Sequence, residues 1–124
     1  LDVTKSILED IRIAVGLSKE TVDFDTELLM HINGAIGKLH QNGIGKFIVV
    51  NDTSETWGDL EDPLQVEGNV YFPMVPLFIV LSTKIIFDPP PPSTVEFYYK
   101  NANETLWRLK IAYEKTTTTT TTLP

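Results

Sequence analysis

Phe87-Asp88-Pro89-Pro90-Pro91-Pro92 separates two apolar, helix-patterned stretches, and its reading decides the fold. A proline lacks the backbone donor a helix needs and pushes the residue before it out of the helical region. Asp88 must therefore leave the helix, and four fixed φ angles hold the exit extended. Ser93-Thr94-Val95-Glu96 then reads as a capping box, with Ser93 at N-cap and Glu96 at N3. Phe87, Asp88, Pro89 and Pro90 form a structural corner that sets the relative direction of two helices and carries no chemistry.

Upstream of the corner, a helix is expected to start near Pro73 or Pro76, since proline is tolerated in a first turn, and to run to Phe87. Its residues Leu77 to Leu81 and Ile85 to Phe87 leave almost no polar face, the pattern of a buried helix. Three other helices in a small domain cannot cover it completely, so surplus apolar surface points to a subunit interface. Downstream, Val95, Tyr98 or Tyr99, Ala102, Leu106, Leu109 and Tyr113 mark a helix from about Ser93 to Tyr113. Phe97 and Trp107 lie off that stripe. Thr116 to Thr122 is a threonine homopolymer, and β-branched threonine disfavours helix, so a stop is expected near Lys115.

Nearer the start, Ile7, Leu8, Ile11 and Val15 share one face of a helix from about Thr4 to Val15, closed by Gly16 and Leu17. Asp23 to Asp25 open a second helix, with Phe24 as a hydrophobic staple before the cap and Asn42-Gly43 as the close. Its core stripe is Leu28, Leu29, Ile32, Ala35, Ile36 and Leu39. The opposite face holds Met30, Asn33, Gly34, Gly37 and Gln41. Each glycine costs about 1 kcal/mol relative to alanine; either close approach of another helix offsets that loss, or the glycines are tolerated imperfections of a surface helix. Residues 43–62 have no helical period. Within them Phe47-Ile48-Val49-Val50 is a short β-prone run, which needs a pairing partner from this chain or a neighbouring subunit. The expected fold is therefore mainly α: a small four-helix domain over residues 1–115, a long central loop containing a short β segment, and an extended low-complexity tail over 116–124.

The 124 residues suit one domain, and 42% apolar content is ordinary for a globular chain. No cysteine is present, which excludes disulfides, thiolate metal sites and a cysteine nucleophile. No basic segment with a following apolar stretch opens the chain, so no signal peptide is expected, and Leu1 in place of Met suggests a trimmed start. The longest apolar stretch, Val70 to Leu81, contains two prolines and falls short of the roughly 20 residues of a bilayer span, so no membrane role is expected. A net charge of −7 argues against direct binding of nucleic-acid phosphate. Residues 1–92 hold 14 acids and 6 bases, residues 93–124 only 3 and 4. The simplest reading is a solubilising acidic surface with a near-neutral C-terminal arm.

Candidate chemistry is sparse. His31 and His40 lie nine residues apart on one helix, about 180° around it, and cannot share a metal. No serine sits in a GxSxG elbow, and Gly43-Ile44-Gly45-Lys46 lacks the spacing of a phosphate loop. Asp59, Glu61 and Asp62 do not match a calcium loop and read as a solvated turn, as Glu9-Asp10 reads as helix surface. Neither an enzyme nor a cofactor nor a metal is expected.

Four motifs in register resemble the small helical head–tail connector (adaptor) proteins of tailed bacteriophages. Lys84-Ile85-Ile86-Phe87-Asp88-Pro89-Pro90 is similar to the family's basic residue, two aliphatics and Phe-Asp-Pro-Pro. Glu104-Thr105-Leu106-Trp107-Arg108-Leu109 is similar to its acid-x-x-aromatic-Arg-Leu pattern. Thr56-Trp57-Gly58-Asp59 resembles its Thr-Trp-x-Asp element, and Phe24-Asp25-x-Glu27-Leu28-Leu29 the start of its second helix. Lys84 stands where the family often has arginine, and Pro73 and Pro76 interrupt a helix that is usually continuous.

The resemblance implies a structural protein of the virion neck, made in the host bacterial cytoplasm. It would form a homo-oligomeric ring, typically of twelve, below the portal protein. The ring would extend the DNA channel without specific DNA binding and dock the stopper or a tail-completion protein. Residues expected to face subunits or partners are Met30, Gly34 and Gly37 on the second helix, and Phe47, Val49 and Trp57 in the loop. Phe78, Trp107 and Tyr113 follow on the later helices, with Thr116 and Thr122 in the tail. The alternatives are a stopper or other head-completion protein and, from another class, a small cytosolic helical interaction or regulatory module.

Overall fold

The computed structural model describes the backbone of residues 2–121 and the side chains of residues 2–114. It contains four helices, α1 (Ile7–Ala14), α2 (Asp25–Gln41), α3 (Met74–Phe87) and α4 (Pro92–Thr121), with 3₁₀ turns at Trp57–Leu60 and Gly68–Tyr71. The mainly helical expectation is met, with α3 at the centre in contact with α1, α2 and α4. Val75, Phe78, Ile79 and Ile85 fill the space between them, and the Thr83 hydroxyl is satisfied by the Ile79 carbonyl at 2.8 Å. Coverage of α3 is incomplete, because Leu77 and Ile86 reach solvent.

Helix ends show which local signals decide. Ser6 caps α1 by accepting from the Glu9 N–H at 3.2 Å, so α1 starts about three residues later than its apolar pattern suggests. Both α1 and α2 close in the same way: Leu17 N–H bonds Arg12 O at 2.8 Å, and Ile44 N–H bonds Leu39 O at 3.0 Å. Gly43, with φ 76°, supplies the left-handed residue that this closure needs. The start of α2 differs from expectation. Phe24 holds the cap position and no side chain caps it, because Asp25 turns instead to Arg12. Asp25 accepts from Arg12 Nε at 3.0 Å, the guanidinium also reaches the Lys19 carbonyl, and this pairing raises the Arg12 pKa further.

At the corner Asp88 leaves the helix (φ −133°, ψ 72°), as a residue before proline should. The capping box at Ser93 does not form. α4 starts one residue earlier, at Pro92, and the Pro91 carbonyl accepts from Thr94 N–H, Val95 N–H and the Thr94 hydroxyl. Proline fits a first helical position because its missing donor would have no partner there anyway, which places Ser93 inside the helix rather than at its cap. Tyr98, not Tyr99, faces the core. The bounds of α4 pass the stop expected near Lys115. Threonine's helix penalty, roughly 0.5 kcal/mol per residue, is a bias and not a barrier of the proline kind. The tail candidates Thr116 and Thr122 lie outside the residues whose side chains are described.

The central loop carries no strand among the described residues; the one β feature is an isolated antiparallel bridge between Ser6 and Thr56. The expected β segment at 47–50 is corrected accordingly. Its partner is a side chain: Asn33 Nδ2 donates to the Val50 carbonyl at 2.9 Å, and Asn33 Oδ1 accepts the Val50 N–H at 2.8 Å. Asn33 thus supplies both bonds that a neighbouring strand would offer, from the face of α2 read as opposite to the core.

Candidate interaction surfaces

Three of the residues expected at an interface are core residues. Trp57 is buried and donates its indole N–H to Asp10 Oδ2 at 2.8 Å, tying the loop to α1. This also moves Asp10 from free helix surface to a structural acceptor. Asp59, two residues on, accepts the Thr56 N–H at 2.9 Å, so the Thr-Trp-x-Asp stretch is a self-capped turn with its tryptophan inserted. Phe78 is enclosed in the α3 core. Tyr113 is buried with its hydroxyl 3.2 Å from Asn69 Oδ1, and its ring lies against Gly68, where a Cβ would come within 2.6 Å. Burial, with Glu61 and Asp62 nearby, pushes the Tyr113 pKa up to about 12. Each of these aromatics was large enough to suggest a partner. Trp57 and Tyr113 are used up by the long loop folding back on the helices, and Phe78 by the packing of α2, α3 and α4, where it also borders a crevice beside Met30 and Gly34.

The remaining candidates are exposed and fall in three places. Phe47 and Val49 point outward from the loop, half-exposed, and among the described residues no bond is made to the backbone of residues 47–49. Phe47 leans on the His40 ring at 5.3 Å. Met30 and Gly34 border a crevice of about 280 Å3 between α2, α3 and α4, rimmed also by Ile86 and Tyr99. No atom lies within 4 Å of a Cβ built on Gly34 or Gly37, so close helix packing inside the subunit does not account for either glycine. Trp107, 63% exposed, borders a larger groove of about 670 Å3 between α4 and the Val70–Met74 segment, with Tyr71 and Ile111.

The two concavities lie on different sides of α4, with Trp107, one turn after Asn103 and about 40° around the helix from it, on the ridge between them. Tyr99 and Asn103 line the crevice, Arg108 and Ala112 line the groove, and each residue of the first pair is nine positions before its counterpart, about 180° around the helix. Sequence reasoning did not foresee the groove, because half of its wall comes from the 67–74 segment, held beside α4 by the long-range Tyr113–Gly68 contact. Arg108 on its rim pairs with Glu104 at 2.9 Å, which gives the acid-x-x-aromatic-Arg pattern a structural meaning.

None of these surfaces carries a reactive constellation. Among the described residues no three His, Asp or Glu side chains are placed to hold a metal, and no helix is long and apolar enough to cross a membrane. His31 Nε2 is 3.7 Å from Glu27 Oε1, while His40 is exposed. Asp62 accepts the Leu64 N–H at 2.9 Å, in keeping with a structural turn.

Neither the curated proteins nor the solved structures give a match. The family model described as phage connector protein matches residues 7–116, which takes in α1, α2, α3, the corner and α4 as far as residue 116. With the helical fold and the four motifs in register, that match makes the chain a member of the phage connector protein family, a structural component of a bacteriophage.

Proposed function

We propose that this protein is the adaptor of a phage neck, a homo-oligomeric ring docked beneath the portal protein, with no enzymatic activity. The observation that carries this reading is the pair of unlike, largely apolar concavities that share α4 as a wall but have no lining residue in common. A closed ring repeats one head-to-tail contact, which requires two different faces on each subunit. Exposed Met30, Ile86, Tyr99 and Trp107 give those faces the large apolar side chains that interfaces concentrate. The net charge of −7 suits the wall of a channel through which DNA slides, since like charge does not hold phosphates. Twelve copies, portal binding and docking of a stopper or tail-completion protein come from the resemblance to connector proteins. The absence of a strand among the described residues favours an adaptor over a stopper. Immunogold labelling of purified virions with an antibody to this chain tests the reading: label at the head–tail vertex is expected, and virions without label there contradict it.

A further inference from the structure

The ring reading leaves open which surfaces meet. Resting on that reading, we propose that the two flanks of α4 are the two halves of a single contact between copies of this chain. The Met30–Ile86–Tyr99 rim of one copy enters the Tyr71–Trp107–Ile111 groove of the next, with Lys38 of the first facing Glu67 of the second.

Shape, polarity and charge converge on this pairing. Met30, Ile86 and Tyr99 are 69%, 58% and 53% exposed and project around one crevice. The groove on the other flank has about 670 Å3, room for an aromatic and an aliphatic side chain together, and its walls are mostly apolar. In return, Trp107 at the groove edge fits toward the crevice of about 280 Å3, whose side is left open where Gly34 lacks a Cβ. A glycine that costs helix stability and whose missing Cβ leaves open space in its own subunit is accounted for by a neighbour's indole. Charge agrees as well. Arg108 is already engaged by Glu104, whereas among the described residues Glu67 in the groove and Lys38 in the crevice have no ion pair. The uncompensated charges on the two flanks are therefore opposite in sign. Identical flanks meeting each other would place like charges together, which disfavours a symmetric dimer.

The chain has no cysteine, so introduced thiols report cleanly. Glu67→Cys and Lys38→Cys are both at exposed positions, and unchanged circular dichroism would show that each variant folds. The two variants are mixed at high concentration and oxidised, beside a control mixture of Glu67→Cys with Lys19→Cys. Docking raises the effective concentration of paired thiols, so the mixed 67–38 disulfide should exceed the control product by about tenfold. A chain carrying both cysteines should give a ladder of covalent oligomers. Dimers joined only at like positions, or a mixed product no greater than the control, overturn the contact. That result with gold label at the neck removes this pairing of surfaces and leaves the adaptor reading standing, whereas virions unlabelled at the neck remove the adaptor reading itself.

Discussion

Phe87, the last residue of α3, meets Phe24 at the start of α2 edge to face, with ring centroids 5.4 Å apart and planes at 74°. The polyproline corner is thereby fastened to a second helix just before the chain turns. Covalent stiffness from the prolines and noncovalent anchoring by the ring pair act at the same place.

Phe87→Ala is expected to destabilise the subunit by about 2 kcal/mol, through lost burial and the lost ring pair. A double-mutant cycle with Phe24→Ala should return a coupling of about 1 kcal/mol in urea melts. Zero coupling would mean that the rings are neighbours without consequence. Replacing Pro89 and Pro90 with alanine should loosen oligomer assembly more than subunit folding, because the anchor survives while the exit direction is freed. Comparing urea midpoints with sedimentation profiles separates the two effects, and equal loss of both would make the corner merely part of the core.

Asn33 is the hinge of the loop's attachment. Asn33→Ala leaves the Val50 N–H and C=O without partners and should cost about 2–3 kcal/mol. Asn33→Asp keeps an acceptor for the N–H but sets a second acceptor against the carbonyl, so it should not rescue. Hydrogen exchange at the Val50 amide is the direct readout, and protection that survives Asn33→Ala would disprove the clamp.

Two glycines should respond oppositely to the same change. A Cβ at Gly68 would lie 2.6–2.8 Å from three Tyr113 ring atoms, so Gly68→Ala should destabilise by about 1–3 kcal/mol. Gly34 sits within α2 with nothing within 4 Å of its Cβ position, so Gly34→Ala should stabilise the isolated subunit by up to about 1 kcal/mol. Thermal melts of the two variants moving in the same direction would contradict the packing described for one of them.

Burial holds the Tyr113 phenol protonated, so in the folded chain it ionises near 12 rather than near 10. A group whose folded pKa is raised contributes stability that is complete below the unfolded pKa and is lost as pH rises toward the folded one. Stability should therefore fall between about pH 10 and pH 12, and Tyr113→Phe should flatten that part of the profile. An identical slope in wild type and Tyr113→Phe would assign the alkaline loss elsewhere.

The corner, the buried character of α3 and the glycine closures of α1 and α2 were legible because each rests on local chemistry. Proline fixes φ, and glycine admits the left-handed turn, whatever else surrounds them. The burial of Trp57, Phe78 and Tyr113 in their own subunit was not legible, because hydrophobicity alone does not say which apolar surface covers which. Asn33 and Asp10 looked like helix surface for the matching reason: their partners, Val50 and Trp57, lie 17 and 47 residues away. No local period records such pairs. The groove beside Trp107 was invisible on the same grounds, since its second wall arrives through the Gly68–Tyr113 contact.

Cryo-electron microscopy of the virion neck tests the central claim most directly. A ring of this chain beneath the portal is expected, with the α4 flank bearing Tyr99 in one copy against the flank bearing Arg108 in the next. A neck without the chain, or a ring whose α4 flanks both face solvent, would contradict it.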